Sequence, residues 1–402
     1  MSVLSGVRVL AVEQYGAGPF GTQALADLGA EVIKIENPRD GGDVTRSLGP
    51  YFDDKMGHTA ESLFFQAINR NKKSIALDLA SPEGLAVFHD LVRGADAVAC
   101  NLRGDVPDRL GLNYAALSKI NPKIVCCHLT AYGRGGSRAA WPGYDYLIQG
   151  ETGYFHLNGE PDSPPSRFGL SIVDFMTGYC LALATVSGVL NARQTGIGRD
   201  LDVALFDVGL ANLSYLAVWA LNRDYAPERV ARSGHPTIAP CQLFPTSDGW
   251  IYIMANKEKF FPALCEKLGC PEVAQDPRFL GFKDRLANRP ALVEALDPYF
   301  RKRTTAEWIA ELAGVVPAGP VNPMQDALKS DFVAEREMIV EIESESGGTV
   351  RAIGSPFRTG EPAPLHAAPT LGRHTVEFLA EAGYSAERIA ALRERGVIAC
   401  NA

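Results

Sequence analysis

The sequence predicts an α/β protein with a Rossmann-like large domain, built on a mainly parallel sheet, and a smaller α+β domain. Strand-like and helical runs alternate as far as Leu129, which is typical of a parallel sheet covered by helices on both faces. Beyond residue 224 the order changes to a hairpin followed by helices. A length of 402 residues also favours two domains over one.

The first part of the chain repeats a β-α-β unit. Short apolar runs predict strands at Val7–Val12, Glu31–Ile35, Ser74–Leu77, Ala97–Cys100 and Ile124–Leu129. Apolar residues at helical spacing predict helices at Thr22–Leu28, Gly84–Val92 and Tyr114–Ile120. Two longer helices are predicted at Phe175–Asn191 and, after a glycine-containing break, at Val203–Leu221. Apolar residues on most sides of these helices indicate burial.

The second part reads differently. Thr246–Trp250 predicts a turn that leads into a strand at Ile251–Met254. Helices are predicted at Phe260–Leu268, Arg289–Phe300, Thr305–Ala313, Val376–Glu381 and Ser385–Arg395. Between them lie a Pro- and Gly-rich connector, Val315–Pro320, and a hairpin of Ile339–Ile342 with Val350–Ile353. We therefore predict a large α/β domain at 1–223, a small α+β domain at 224–320, and a connector and C-terminal segment at 321–402 that returns to the large domain.

Composition narrows the functional classes. A net charge of −8 argues against a nucleic-acid or anionic-membrane partner, because phosphate groups recruit basic surfaces. The eight cysteines form no CxxC pair and no cluster at zinc spacing, so we expect reduced thiols and no metal site. The N-terminus lacks the pattern of a signal peptide, and we expect no apolar run of membrane-spanning length. We expect a cytoplasmic location.

A glycine motif follows the first predicted strand. Gly16, Gly18 and Gly21 match G-x-G-x-x-G, and Glu36 ends the next strand at about the dinucleotide-motif spacing. One interpretation is therefore an NAD(P)-dependent oxidoreductase. The other is a tight β-α turn, because Pro19 removes one N–H group that a pyrophosphate would use.

Charged side chains near predicted strand ends form a second candidate constellation. The cations are Arg39, the Asn69–Lys73 segment, Arg103 and Arg109, which could hold a phosphorylated nucleotide or lie on a solvated face.

Asp174 precedes the long apolar helix. It is either an N-cap or a carboxylate nucleophile, since the helix N-terminus favours the ionised form that both roles use. His128 is expected to be a hydrogen-bonded core residue.

Read in order, several blocks resemble the class III CoA-transferase family (CaiB/BaiF type), almost from end to end. The blocks are Leu4–Leu10, Ala17–Pro19, Leu28–Glu36, Gly42–Asp43 with Arg46, Asn71–Leu79, Asn101–Arg103, Arg109–Leu112, Gly143–Tyr146 with Gln149, Ala239–Pro240, Pro317–Asn322 and Gly354–Pro356. The family's nucleophilic aspartate falls in a block like Ser171–Gly178. The resemblance thus implies that Asp174 is catalytic.

The resemblance also implies a reaction, ligands and an assembly. CoA would move from an acyl-CoA donor to a carboxylic acid acceptor through an aspartyl-CoA thioester, with CoA as substrate and no permanently bound cofactor. The implied CoA contacts are Tyr15, Gly16, Ala17, Arg39, Lys72, Asn101, Arg103 and Arg109. Acyl-CoA and small carboxylic acids would be the partners, and two ring-like chains would interlock as a homodimer.

Two departures separate the chain from branches of the family. The racemase branch has a histidine where this sequence has Tyr144, so two-base proton exchange at an α-carbon lacks a partner. The formyl-CoA:oxalate branch carries consecutive glycines where Ser233–Ile238 offers one. Three further cations, Arg46, Arg134 and Arg167, could pair with the distal carboxylate of a dicarboxylic acid.

Overall fold

The computed structural model describes residues 2–51, 62–223, 225–345, 347–360 and 365–400. Two compact units make up the chain, one of Met1–Thr152, Gly169–Leu213 and Ala334–Ala402, the other of Gly153–Phe168 and Ser214–Val333. The domains predicted at 1–223, 224–320 and 321–402 stay predictions, because compactness does not establish independent folding. Position 224 itself lies outside the described residues. The interlocked homodimer also stays a prediction, which light scattering would test.

Twelve strands occur in the described residues: β1 Arg8–Val12, β2 Glu31–Glu36, β3 Lys73–Leu77, β4 Ala97–Cys100, β5 Val125–Thr130, β6 Arg199–Ala204, β7 Cys241–Pro245, β8 Trp250–Met254, β9 Ala318–Pro320, β10 Ile339–Glu343, β11 Thr349–Ile353 and β12 Ile398–Ala399. The α-helices of the same residues are α1 Ala17–Asp27, α2 Leu63–Asn69, α3 Pro82–Val92, α4 Val106–Leu110, α5 Tyr114–Leu117, α6 Asp145–Glu151, α7 Tyr154–Leu157, α8 Ile172–Thr195, α9 Leu205–Ala211, α10 Ser214–Arg223, α11 Phe260–Leu268, α12 Phe282–Ala287, α13 Arg289–Phe300, α14 Thr305–Leu312, α15 Met324–Ala327, α16 Asp331–Glu335, α17 Thr375–Glu381 and α18 Ala386–Glu394.

The first unit is built on a seven-stranded sheet with the order β12-β3-β2-β1-β4-β5-β6. Six strands are parallel, and only the short C-terminal strand β12 is antiparallel, to β3. Strands β1, β4 and β5 are apolar and almost wholly buried, as expected of a parallel sheet covered on both faces. The predicted α/β fold with a mainly parallel sheet is confirmed.

Two predicted elements were wrong. Residues 203–221 do not form one helix: Arg199–Ala204 is the edge strand β6, paired in parallel with β5, and the helices α9 and α10 follow it. Ser214, the first residue of α10, has a left-handed φ of 46°, which a continuous helix excludes. The Pro- and Gly-rich connector also contains a strand, since Ala318–Pro320 completes a sheet beside β8.

The long helix α8 corrects another expectation. Its 24 residues include a window of mean hydropathy 1.5, so an apolar run of membrane-spanning length does occur. In this structure α8 packs on β5 and β6, and a Cβ added to Gly188 would lie 2.6 Å from a methyl carbon of Val125. The helix is therefore part of the core of the first unit.

Helices α1 and α8 cross with their backbones in close contact. A Cβ added to Gly21 would lie 2.3 Å from the carbonyl oxygen of Gly178, and one added to Gly178 would lie 2.7 Å from the carbonyl oxygen of Ala17. Real Cβ atoms do not approach backbone oxygens so closely, so both positions require glycine. This contact places the start of α1 beside the first turn of α8.

The second unit has an antiparallel sheet of β7, β8 and β9 packed with helices. Its core contains the stacked rings of Phe244 and Phe300, with centroids 4.6 Å apart, and the indole of Trp308. The indole N–H donates to the Phe300 carbonyl at 2.7 Å, which satisfies its one buried polar group. An antiparallel sheet with segregated helices is an α+β arrangement.

The helix crossing predicts the effect of one added methyl group. Gly21→Ala should lower the free energy of unfolding by about 1–3 kcal/mol, because α1 must move away from the Gly178 carbonyl. Gly135→Ala is the matched control, since nothing lies within 4 Å of a Cβ at that position. Thermal unfolding of both variants would measure the difference. Equal midpoints would show that the helices do not need this contact.

Candidate active site

The sheet places one cavity at its topological switch point. The neighbours of β1 are β2 and β4, so the chain leaves β1 and β4 in opposite directions, and a crevice opens beyond their carboxyl ends. A cavity of about 500 Å³ lies there, lined by segments that follow β1, β4 and β5. The lining residues that the sequence predicted as site residues are Tyr15, Gly16, Ala17, Asn101, Arg103, Arg109 and Asp174.

The glycine motif is explained by contacts within the protein. A Cβ on Gly16 would lie 2.6 Å from Oδ2 of Asp174, and one on Gly18 would lie 2.9 Å from the side chain of Asn101. Gly21 faces the Gly178 carbonyl, as described above. Each of the three glycines therefore permits a close approach to another part of the first unit. The spacing that resembles a dinucleotide motif has this packing origin.

Asp174 is the third residue of α8, and Ser171 holds the N-cap position. The N-cap interpretation of Asp174 was therefore wrong. Its backbone N–H donates to Oδ2 of Asp145 at 2.9 Å, and its side chain is buried, with the whole residue 6% exposed. Burial, reinforced by the negative charge of Asp145, raises the pKa of Asp174 to about 7. The carboxyl group is thus half-ionised near neutral pH.

Two cations on the loop after β4 line the cavity. Arg103 is paired with Asp105, with Nη2 to Oδ2 at 2.8 Å, and Arg109 lies in the helix α4 that follows. Both residues belong to the wall formed beyond β4. Arg109 adds positive charge that suits an anionic ligand, whereas Asp105 partly compensates the charge of Arg103.

Two of the cationic residues that were predicted to contact CoA, Lys72 and Arg39, do not line the cavity. Lys72 is enclosed in the protein, where Nζ bonds Oε1 of Glu13, the Pro19 carbonyl and Oδ1 of Asn69 at 2.8–2.9 Å. Burial lowers the pKa of Lys72 to about 8. Direct contact between Lys72 and CoA would require these bonds to break, and that contact stays a prediction. In the structure Lys72 anchors the first turn of α1 through its bond to the Pro19 carbonyl. Arg39 is exposed and paired with Asp78 at 2.9 Å, and its contact with CoA stays a prediction.

The three cations considered for a distal carboxylate lie outside the cavity lining. Arg46 makes two 2.8 Å bonds to Glu36. Arg134 is paired with Asp202, with Nε to Oδ1 at 2.6 Å. Arg167 belongs to the second unit. In the described residues, the cations at the cavity are therefore Arg103 and Arg109.

His128 is a buried structural residue, as predicted. Its Nε2 lies 2.8 Å from Oδ1 of Asp200, and its Nδ1 lies 3.2 Å from Sγ of Cys100. This order imitates a Cys-His-Asp triad. Burial, however, raises the pKa of Cys100 to about 12, which keeps the thiol protonated and unreactive. Within the described ranges, no group of three or more His, Cys, Asp or Glu side chains is placed to hold a metal ion.

Sequence reasoning missed Asp145 and Trp141. Asp145 acts on Asp174 directly, and Trp141 lines the cavity. Asp145 belongs to the Gly143–Tyr146 block, so the block was found but the role of its carboxylate was not. Only the fold brings the first turn of α6 against that of α8, 29 residues further along the chain.

The raised pKa predicts how stability depends on pH. An unfolded Asp174 ionises near pH 4, whereas the folded one ionises near 7, so the wild type loses stability as pH rises between these values. Asp174→Asn has no charge to bury. Its free energy of unfolding, relative to wild type, should grow by roughly 2–4 kcal/mol from about pH 4 to pH 7 and then stay constant.

Denaturant unfolding across this pH range would measure the difference. Asp162→Asn, at an exposed carboxylate, is the control and should show no such trend. A pH-independent difference for Asp174→Asn would mean that the buried carboxyl group ionises at its ordinary pKa.

Known proteins are similar to this chain in both sequence and fold. A family model described as CoA-transferase family III matches residues 4–375. A succinate–glutarate CoA-transferase from Agrobacterium fabrum is 35% identical over 383 residues, covering 94% of this chain and 95% of that protein. An acetyl-CoA:oxalate CoA-transferase from Acetobacter aceti is 38% identical, with 88% of each protein covered.

The crystal structure of a CAIB/BAIF family protein from Brucella suis has the same fold. It matches with a TM-score of 0.81 at 35% identity, covering 95% of this chain and 99% of that one. The predicted family resemblance is confirmed. The chain belongs to CoA-transferase family III and is an enzyme that transfers coenzyme A.

Proposed function

We propose that this enzyme moves CoA from an acyl-CoA to a dicarboxylic acid through a covalent thioester on Asp174. One observation carries the proposal: among the described residues that line the cavity, Asp174 is the one carboxylate. It lies beside the start of α1, in a space that Gly16 leaves open. A carboxylate can attack a thioester carbon, hold CoA as a thioester on its own carbonyl carbon, and be regenerated when CoA leaves.

The reaction divides into two symmetrical halves. A carboxylate oxygen of Asp174 attacks the donor thioester carbon, the C–S bond breaks, and a mixed anhydride and CoA thiolate form. The thiolate attacks Cγ of Asp174, which releases the donor acid and leaves an aspartyl-CoA thioester. The acceptor carboxylate then attacks Cγ and expels the thiolate. That thiolate attacks the acceptor's acyl carbon, which yields the new acyl-CoA and restores the Asp174 carboxylate.

Each attack produces a tetrahedral oxyanion that needs hydrogen-bond donors. The N–H groups of Ala17 and Gly18 belong to the first turn of α1, where no acceptor is available within the helix. The residue before them, Gly16, lies close to that carboxylate, since a Cβ on Gly16 would be 2.6 Å from Oδ2 of Asp174. We assign them as donors to the oxyanions. Pro19, next in the chain, has no N–H to offer.

The cavity walls and the relatives favour an acid with two carboxylates. The relatives reported above are named for glutarate and oxalate, and a further one from Haloarcula hispanica, 32% identical, is named for mesaconate. Arg103 and Arg109 supply cations that CoA phosphates or a distal carboxylate could use. Tyr144 lines the cavity with its ring 5.8 Å from that of Tyr15, and a phenol is a poor base for α-proton exchange.

The covalent role of Asp174 gives the main prediction. Asp174→Ala should abolish CoA transfer while CoA binding persists, because the side chain touches the reacting end of the ligand. Wild-type enzyme incubated with acyl-CoA and then with hydroxylamine or borohydride should carry the label on Asp174. Mass spectrometry would locate it. Substantial turnover by Asp174→Ala, or a label on another carboxylate, would overturn the assignment.

Acceptor preference gives a second prediction. A panel of mono- and dicarboxylic acids of matched chain length, assayed with one acyl-CoA donor, should show higher kcat/KM for the dicarboxylic acids. A distal carboxylate gains a charge-assisted hydrogen bond, which is worth about 1.5–3 kcal/mol, or roughly tenfold to a hundredfold in kcat/KM. Equal or higher kcat/KM for the monocarboxylic acids would exclude this acceptor class.

A further inference from the structure

The turn from Gln14 to Ala17 is attached to the neighbouring strand by one side chain. The Gln14 N–H donates to Oδ1 of Asn101 at 2.9 Å, and Nδ2 of Asn101 donates to the Gln14 carbonyl at 2.6 Å. The amide thus pairs with both backbone groups of Gln14, as a neighbouring strand would. Strands β1 and β4 are paired up to Val12 and Cys100, so Asn101, the first residue after β4, lies next to the residues that follow β1.

The next residue is held from the opposite side. Tyr15 has a left-handed φ of 68°, which is an outlier for a bulky aromatic residue. Its N–H donates to Oδ1 of Asp43 at 3.1 Å. Such a conformation persists only when its surroundings impose it, and the bonds to Asn101 and Asp43 supply that constraint.

Asp43 is itself firmly anchored. Its Oδ2 lies 2.8 Å from Nζ of Lys34, and both side chains are fully buried. Its Oδ1 also accepts from the Thr45 N–H at 2.9 Å, and its own N–H donates to Glu36 at 3.0 Å. Burial favours the neutral form, but the Lys34 ammonium prevails and keeps the pKa of Asp43 below its usual range. The carboxylate that holds Tyr15 is therefore charged and is itself held by Lys34 and the Thr45 N–H.

We propose that Asn101 and Asp43 are positioning residues, which clamp the Gln14–Ala17 turn so that Gly16 and the first amides of α1 meet the Asp174 carboxylate. This inference rests on the proposed nucleophilic role of Asp174. It changes the role of Asn101, whose side chain was expected to contact CoA. The amide is instead engaged with Gln14, and its carbon atoms pack against Gly18.

Asn101→Leu tests the clamp without adding charge to the cavity. The side chain keeps a similar size but loses both bonds to Gln14, so the turn can shift. We expect kcat to fall by about tenfold to a hundredfold, as a misplacement near 1 Å produces, while the CoA dissociation constant measured by calorimetry hardly changes. A role as CoA ligand would give the reverse: weaker CoA binding with kcat retained. That result would overturn the proposal.

Asn121→Leu is the matched control. Asn121 likewise makes two bonds to backbone groups, donating to the carbonyls of Val92 and Ala95, but it lies before β5, at the end of the sheet away from the cavity. Its loss should leave kcat unchanged. If Asn101→Leu fails to fold, Asn101→Ser provides the same readouts, because a short hydroxyl cannot pair with both groups of Gln14.

A double-mutant cycle with Gly16→Ala distinguishes positioning from a general loss of structure. Gly16→Ala alone should lower kcat, because its Cβ would meet Oδ2 of Asp174 at 2.6 Å. In a chain whose turn is already released by Asn101→Leu, the methyl group can move away, so the combined loss should be smaller than the product of the single losses. A combined loss equal to that product would overturn the clamp.

Asp174→Ala measured in parallel separates the two proposals. If Asp174→Ala is inactive and Asn101→Leu keeps the wild-type kcat, the clamp is wrong and the nucleophile stands. If Asp174→Ala turns over normally, both proposals fall.

Discussion

The structure of the active site depends on how closely α1 approaches α8. The two helix backbones can meet only because positions 21 and 178 are glycine. A Cβ at either position would clash with a carbonyl oxygen of the other helix. That approach brings the start of α1 to the first turn of α8, where Gly16 leaves room for the Asp174 carboxylate. The β1–β4 pairing then places the Asn101 side chain against the same turn. Packing between backbones, more than any charged contact, thus sets the position of the Asp174 carboxylate.

Two groups of buried charges lie near that turn, and they differ in how they are compensated. Lys72 is paired with Glu13 and Lys34 with Asp43, each at 2.8 Å, so these charges stabilise one another. Asp174 is buried as well, but its first charged neighbour is the carboxylate of Asp145. The two ion pairs support the turn. Asp174 has a higher free energy in its charged form, because it is buried next to another carboxylate. A carboxylate in such a position is more reactive towards a thioester than a solvated one, but its ionisation makes the folded protein less stable.

The sequence predicted the fold class, and seven of the nine residues that it predicted for the site line the cavity; its errors have physical causes. The parallel sheet followed from apolar runs that alternate with helices, but β6 was missed because Asp200 and Asp202 interrupt its apolar pattern on an edge strand. The pattern also could not show that Lys72 is enclosed, since its partners Glu13 and Asn69 come from other elements of the fold.

Asp174 was identified as a candidate by the resemblance of its segment to a family block, whereas its position alone suggested an N-cap. Ser171 occupies that N-cap position. The roles of Asp43 and Asp145 required the folded chain, because each acts through a backbone N–H that is remote in sequence.

The pH dependence of kcat/KM tests most directly whether this packing controls the chemistry, because it reports ionisation in the free enzyme. Below pH 7 the buried Asp174 is mostly protonated and cannot attack a thioester; above pH 7 it is mostly ionised. We predict that kcat/KM rises with pH, reaches half its maximum near pH 7, and is constant at higher pH until other groups titrate. A kcat/KM that is already maximal at about pH 5, as for a carboxylate with an ordinary pKa near 4, would contradict it.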